Sequence, residues 1–127
     1  LVNISARSLV NKTGDLEYIL ANYDPHIVTV TETWLNPDIR DNELVPPGYR
    51  IMRNDRESRG GGVAIVVKDY VECIRLQGIQ NHESVWCNVR IDNAFVLLGA
   101  IYRAPNKPAA YLQDNKSYLD EHKPRNG

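Results

Sequence analysis

HIVTVTETWL, residues 26–35, decides how this chain folds. Residues 26–32 are rich in β-branched side chains, which suit a pleated strand. Glu32 places a carboxylate where that strand should end, and Thr33, Trp34 and Leu35 return at once to apolar character. An acid at the mouth of a buried strand is either a solvated strand end or a functional group. In α/β folds ligands and catalytic groups gather at the carboxyl ends of strands.

Working outward, residues 1–6 suit a short strand. Leu16, Ile19, Leu20 and Tyr23 share one helix face by their i, i+3, i+4, i+7 spacing. Thr13 fits an N-cap, Asp15 and Glu17 suit the positive end of the helix dipole, and Pro25 ends the helix by forcing Asp24 out of the helical region. Downstream, residues 36–48 carry three prolines and form a loop, 49–53 a short strand, and 54–62 a turn or flexible loop ending in three glycines. Residues 63–68 are a near-continuous apolar run, the pattern of a strand covered on both faces. Residues 70–76 suit another strand. Val85, Cys87, Val89 and Ile91 alternate with Trp86, Asn88 and Arg90, a period-two pattern with one face inward. Asp92-Asn93 is a turn, 94–102 a second strand apolar enough for burial on both faces, and 108–122 a final helix with Leu112 and Leu119 on one side. This order predicts an α/β architecture, a mixed sheet with two helices. Two strands needing double cover and only two helices to supply it imply a missing layer, which would leave the chain prone to self-association.

Composition narrows the class. The chain has 127 residues, enough for one domain or part of a larger one, and its net charge of −1 does not indicate a strongly basic nucleic-acid binder. Cys73 and Cys87 are its two cysteines, too few for a disulfide framework, which favours a reducing compartment. No secretory signal opens the sequence and no stretch is apolar enough to span a bilayer, so no membrane partner is expected. The first residue is Leu1, which suggests that both ends are arbitrary.

Glu32 on a rigid strand suits Mg²⁺, which takes one or two protein carboxylates and completes its shell with water and phosphate oxygens. Tyr102-Arg103-Ala104-Pro105-Asn106 closes the other long strand. It reads either as a plain Pro turn or as a phenol and an amide reaching the same mouth as Glu32. Arg50, Arg53, Arg56 and Arg59 form a basic run around the glycines, open to either solvation or phosphate contact. Gly60-Gly61-Gly62 is not a phosphate loop, because no Gly-Lys-Ser/Thr follows. His26, His82 and His122 read as structural or surface residues, and Trp34 and Trp86 as core.

The segments ARSLVNKTGDLEYIL (6–20), PHIVTVTETWL (25–35), GYRIMRNDRESRGGGVAIVV (48–67) and LLGAIYRAPN (97–106) together resemble the endonuclease/exonuclease/phosphatase superfamily. Within it they resemble the apurinic-like endonuclease domain of non-LTR (LINE-type) retrotransposons. The resemblance implies a DNase-like four-layer α/β sandwich and hydrolysis of DNA phosphodiesters with Mg²⁺ (or Mn²⁺). It makes Glu32 the metal-binding glutamate, Tyr102 the tyrosine at the scissile phosphate, and Asn106 the asparagine after the Tyr-x-Pro turn, with Arg103 an extra residue between them. Arg7, Lys12 and Arg103 would lie near nucleic acid. Ser5 stands where the family's first motif carries asparagine.

The sequence contains no Gly-Asp-x-Asn motif and no terminal Asp-His pair. Residues 1–127 therefore read as the N-terminal half of such a domain, in an intact element followed by a reverse transcriptase and acting in the nucleus. The alternative is a non-catalytic remnant, at most a weak nucleic-acid or protein-binding module.

Overall fold

The computed structural model describes residues 2–6, 9, 13–56, 60–79, 82–102 and 110–122. Its elements run β1 (Val2–Ser5), α1 (Thr13–Tyr23), β2 (Ile27–Thr31), β3 (Tyr49–Asn54), β4 (Val63–Lys68), β5 (Cys73–Leu76), β6 (Glu83–Ile91), β7 (Ala94–Tyr102) and α2 (Ala110–His122). The strands make two sheets, in the orders β1-β2-β4-β3 and β5-β6-β7. β1 lies parallel to β2, and the other pairings are antiparallel.

β4 explains the architecture. Val63 to Val67 are all fully buried, and the pleat sends alternate side chains to opposite faces. Ala64 and Val66 meet Leu16 and Leu20 of α1, with Val28, Val30 and Ile51. Val63, Ile65 and Val67 meet Val85, Cys87, Val89 and Ala100 of the second sheet. Burying each such Val or Ile contributes about 1.5–3 kcal/mol, so both cores are needed. On the outer face of the second sheet, Trp86 packs against Tyr118 of α2 with ring centroids 4.4 Å apart. The layers are thus helix, sheet, sheet, helix.

Several expectations need correction. The strands form two sheets, not one mixed sheet, and the layer expected to be missing is present: the second sheet is built from β5 to β7 and covers β4. β7 is only half-buried; Val96, opposite Val89 and so on the face turned to the first sheet, is exposed near the start of the edge strand. Ile91 is exposed at the sheet's end. Tyr23 is 69% exposed, since α1 ends there and the chain turns away at Asp24 (φ 46). Thr13 is the first helical residue and not the cap. On α2, Asn115 and Tyr118 face inward while Leu119 is exposed. The aromatic ring takes the position because Trp86 offers it a large partner. Cys73 and Cys87 are free thiols.

The Trp86 layer yields a prediction. Gly99 lies opposite Trp86 in the β6–β7 register, and a Cβ there would come within 2.5 Å of the indole. Gly99→Ala should therefore destabilise the protein by about 1–3 kcal/mol, read as a lower urea midpoint with an unchanged slope.

Candidate active site at the strand ends

Glu32 follows the last residue of β2, and Tyr102 is the last residue of β7. They belong to different sheets, yet the Tyr102 hydroxyl donates to Glu32 Oε1 at 3.3 Å. The contact exists because the two sheets stack with these ends in register. Burial, and then the Glu32 charge, push the Tyr102 phenol above its ordinary pKa, while Arg56 pulls the other way. The phenol therefore stays protonated at neutral pH and acts as a donor.

The backbone here departs from regular strand. Glu32 has φ 55 and Trp34 φ 54, left-handed values that cost a non-glycine residue roughly 1–2 kcal/mol. Three hydrogen bonds hold the bend: Thr33 N–H to Gly62 O at 3.3 Å, Trp34 N–H to Gly61 O at 2.9 Å and Leu9 N–H to Thr33 O at 2.8 Å. The glycine run is thus a clamp on the segment that carries Glu32. Gly60, Gly61 and Gly62 have φ 89, 61 and 84, which favours glycine at each.

Glu83 completes the cluster. It opens β6 directly opposite Tyr102. Its carboxylate accepts from Arg56 Nε at 3.0 Å, Arg56 Nη2 at 2.7 Å and the Gly62 N–H at 2.9 Å. The Arg56 guanidinium lies 5.8 Å from the centre of the Tyr102 ring, within cation–π range. Sequence reading passed over Glu83, although the signal was available: counting back nine rungs from the Asp92-Asn93 turn brings it opposite Tyr102.

The remaining candidates separate clearly. Ser5 ends β1 beside Thr31, so its backbone reaches the same end of the sheet as Glu32. Arg7, Lys12, Arg103 and Asn106 lie outside the described residues, as does Arg59. Arg53 is committed to structure: it bonds Asp55 and Asp41 and the carbonyls of Ile39 and Asn36, tying the 36–48 loop to β3. Arg50 donates to the carbonyls of Val71 and Cys73. His82 pairs with Asp114, His122 stacks on Tyr118, and His26 meets Tyr70 edge-on. Trp86 is core, and Trp34 is half-buried beside Gly60.

Among the described residues no group of three or more His, Cys, Asp or Glu side chains converges on one point, which does not suit an ion caged by protein ligands such as Zn²⁺. One half-buried carboxylate beside a phenol does suit Mg²⁺, which keeps several of its waters.

The chain is similar to known proteins in sequence profile and in fold. The sequence profile described as the Endonuclease/Exonuclease/phosphatase family matches residues 2–125. No curated protein matches in sequence. Among solved structures, the endonuclease domain of TRAS1, a telomere-specific non-LTR retrotransposon, superposes with a TM-score of 0.70 at 19% identity, over 97% of this chain and 54% of that one. An AP endonuclease from Archaeoglobus fulgidus gives 0.64 at 16%, over 96% and 51%. The 3′ phosphatase NExo from Neisseria, bound to a product DNA hairpin, gives 0.61 at 17%, over 93% and 49%. At these identities the likeness shows the fold, and the chain spans about half the length of the structures it matches.

The clamp can be tested directly. A Cβ on Gly61 would fall 2.2 Å from Glu83 Oε1 and 2.4 Å from the Arg56 guanidinium carbon. Gly61→Ala should cost about 1–3 kcal/mol in urea unfolding and displace the Arg56 Nε–H signal in an NMR spectrum.

Proposed function

The chain belongs to the endonuclease/exonuclease/phosphatase family, and from that premise we propose that it supplies the Glu32–Tyr102 part of a Mg²⁺-dependent site that hydrolyses DNA phosphodiesters in a non-LTR retrotransposon endonuclease. The observation that carries this reading is the 3.3 Å contact between Tyr102 and Glu32 across two sheets. It brings a hard anionic ligand and a neutral donor to one place at the strand ends. The TRAS1 domain supports the retrotransposon assignment.

In this reading Glu32 holds Mg²⁺ (or Mn²⁺) through its carboxylate. The ion, when bound, neutralises phosphate charge and favours attack by water. Tyr102 orients the Glu32 carboxylate before substrate arrives and turns its single O–H to the scissile phosphate when DNA binds. Asn106 donates to phosphate oxygens, Ser5 fills the first motif position with a shorter reach, and Arg7, Lys12 and Arg103 contact the nucleic-acid backbone. No helix among the described residues is long and apolar enough to cross a membrane. The coding sequence downstream of Gly127 is expected to supply Gly-Asp-x-Asn and then a reverse transcriptase, and the element to act in the nucleus.

A second reading is a weak binding module without turnover, since no group of three or more His, Cys, Asp or Glu side chains converges among the described residues. One assay separates the two. Positioned acid–base groups are worth roughly 10²–10⁴ each, so the 127-residue chain with Mg²⁺ should leave supercoiled plasmid uncut. The chain extended through its downstream coding sequence should nick it, and Glu32→Ala should abolish that nicking. An extended protein that never cuts supports the binding module instead.

The edge of β7 leads to a separate expectation. β7 pairs with β6 on one side only among the described residues, and Val96 is 42% exposed. Such an edge invites strand pairing with a second chain. Light scattering of the isolated chain at micromolar concentration should show dimers or larger species, and a monodisperse monomer would exclude this association.

A further inference from the structure

Arg56 is placed by three separate contacts. Glu83 engages its Nε and Nη2 edge at 3.0 and 2.7 Å. Gly61, lacking a Cβ, leaves the space this pair occupies. The Tyr102 ring lies 5.8 Å from the guanidinium carbon. Both members of the ion pair are mostly shielded, with side chains 28% and 19% exposed, which fixes the geometry more firmly than a surface pair would. The sequence left four arginines open to phosphate contact. The structure separates them: Arg50 and Arg53 serve loop carbonyls and carboxylates, and Arg56 alone of the described three stands beside Tyr102.

The electrostatics of the site call for such a cation. Glu32 and Glu83 already bring two carboxylates to the neighbourhood of Tyr102, and a bound DNA strand adds a phosphate monoanion. A guanidinium carries five N–H donors in a rigid fork and can serve a carboxylate and a phosphate together. We propose that Arg56 is a phosphate-contacting residue, preset by Glu83 and Gly61 to meet a backbone phosphate of DNA lying across Glu32 and Tyr102. Glu83 is then a positioning residue acting through Arg56. The proposal rests on the nuclease reading and specifies which cation of this chain meets the substrate.

Salt dependence supplies the test, because it counts phosphate contacts. Binding of the chain to a fluorescein-labelled DNA duplex is followed by anisotropy across a KCl series. Each lost phosphate contact lowers the slope of log K against log salt by about 0.9, which is roughly eightfold in affinity at about 0.1 M salt. Arg56→Gln should show that loss, and Arg90→Gln should leave slope and affinity unchanged. Arg90 is a suitable control because it pairs with Glu72, away from Tyr102.

A folded Arg56→Gln protein with the wild-type slope overturns the proposal. So does an Arg90→Gln slope lowered by the same amount, which would mark diffuse attraction. If Arg56→Gln does not fold, the wild-type Arg56 Nε–H resonance decides instead. It must shift on adding DNA while that of Arg90 does not, and a stationary Arg56 signal overturns the proposal. Wild-type protein that binds no DNA defeats the nuclease reading itself, and the proposal with it.

Discussion

Val63 to Val67 have no polar face, and all five are buried. A strand of this kind must be covered on both sides, and that need organises the molecule. α1 covers one side through Leu16 and Leu20, and the β5–β7 sheet covers the other through Val85, Cys87, Val89 and Ala100. Once the second sheet lies on the first, β7 runs close to β2 and their ends coincide. Tyr102 then reaches Glu32, seventy residues away in sequence. The site is therefore a consequence of inter-sheet packing, and core substitutions that tilt the sheets should disturb it from a distance.

The glycine run acts on the same geometry from a second direction. Glu32 and Trp34 adopt left-handed backbone conformations, a strain that persists only where surrounding structure enforces it. Gly61 and Gly62 provide the enforcing carbonyls, and the Gly62 N–H binds Glu83 of the opposite sheet. One short segment thus fastens the Glu32 bend to both sheets. The placing of Glu32 therefore rests on fixed backbone bonds on either side of the bend.

Much of this was legible in the sequence, for identifiable reasons. The β4 run and the β2 strand were readable because burial on both faces leaves an unbroken apolar signature, and Glu32 because it interrupts one. The Arg53 network was not readable, since nothing local shows that Asp41 and Asp55 converge on one guanidinium. The strands of the second sheet were readable but not their separation from the first, because an apolar pattern marks a strand and not the neighbour it bonds to. Tyr118 over Leu119 on α2 was equally hidden: the choice depends on Trp86, on another element. Periodicity reports whether a residue is suited to burial, and the partner decides which residue is buried.

The chain spans about half the length of the solved structures it matches, yet it contains all four layers of the sandwich. The layers and the chemistry divide differently along the sequence. Layering needs one strand buried on both faces and a cover for each face, and β4, α1, β6 and α2 meet that need within 127 residues. Hydrolysis needs ligands, a nucleophile's base and phosphate donors gathered from several strand ends, and such ends are supplied one per strand. Packing can therefore be satisfied by elements that hold only a few of the polar groups gathered at the strand ends. In the proposed reading this separates stability from activity: the β4 core should set the first, and the strand ends assembled around Glu32 and Tyr102 the second.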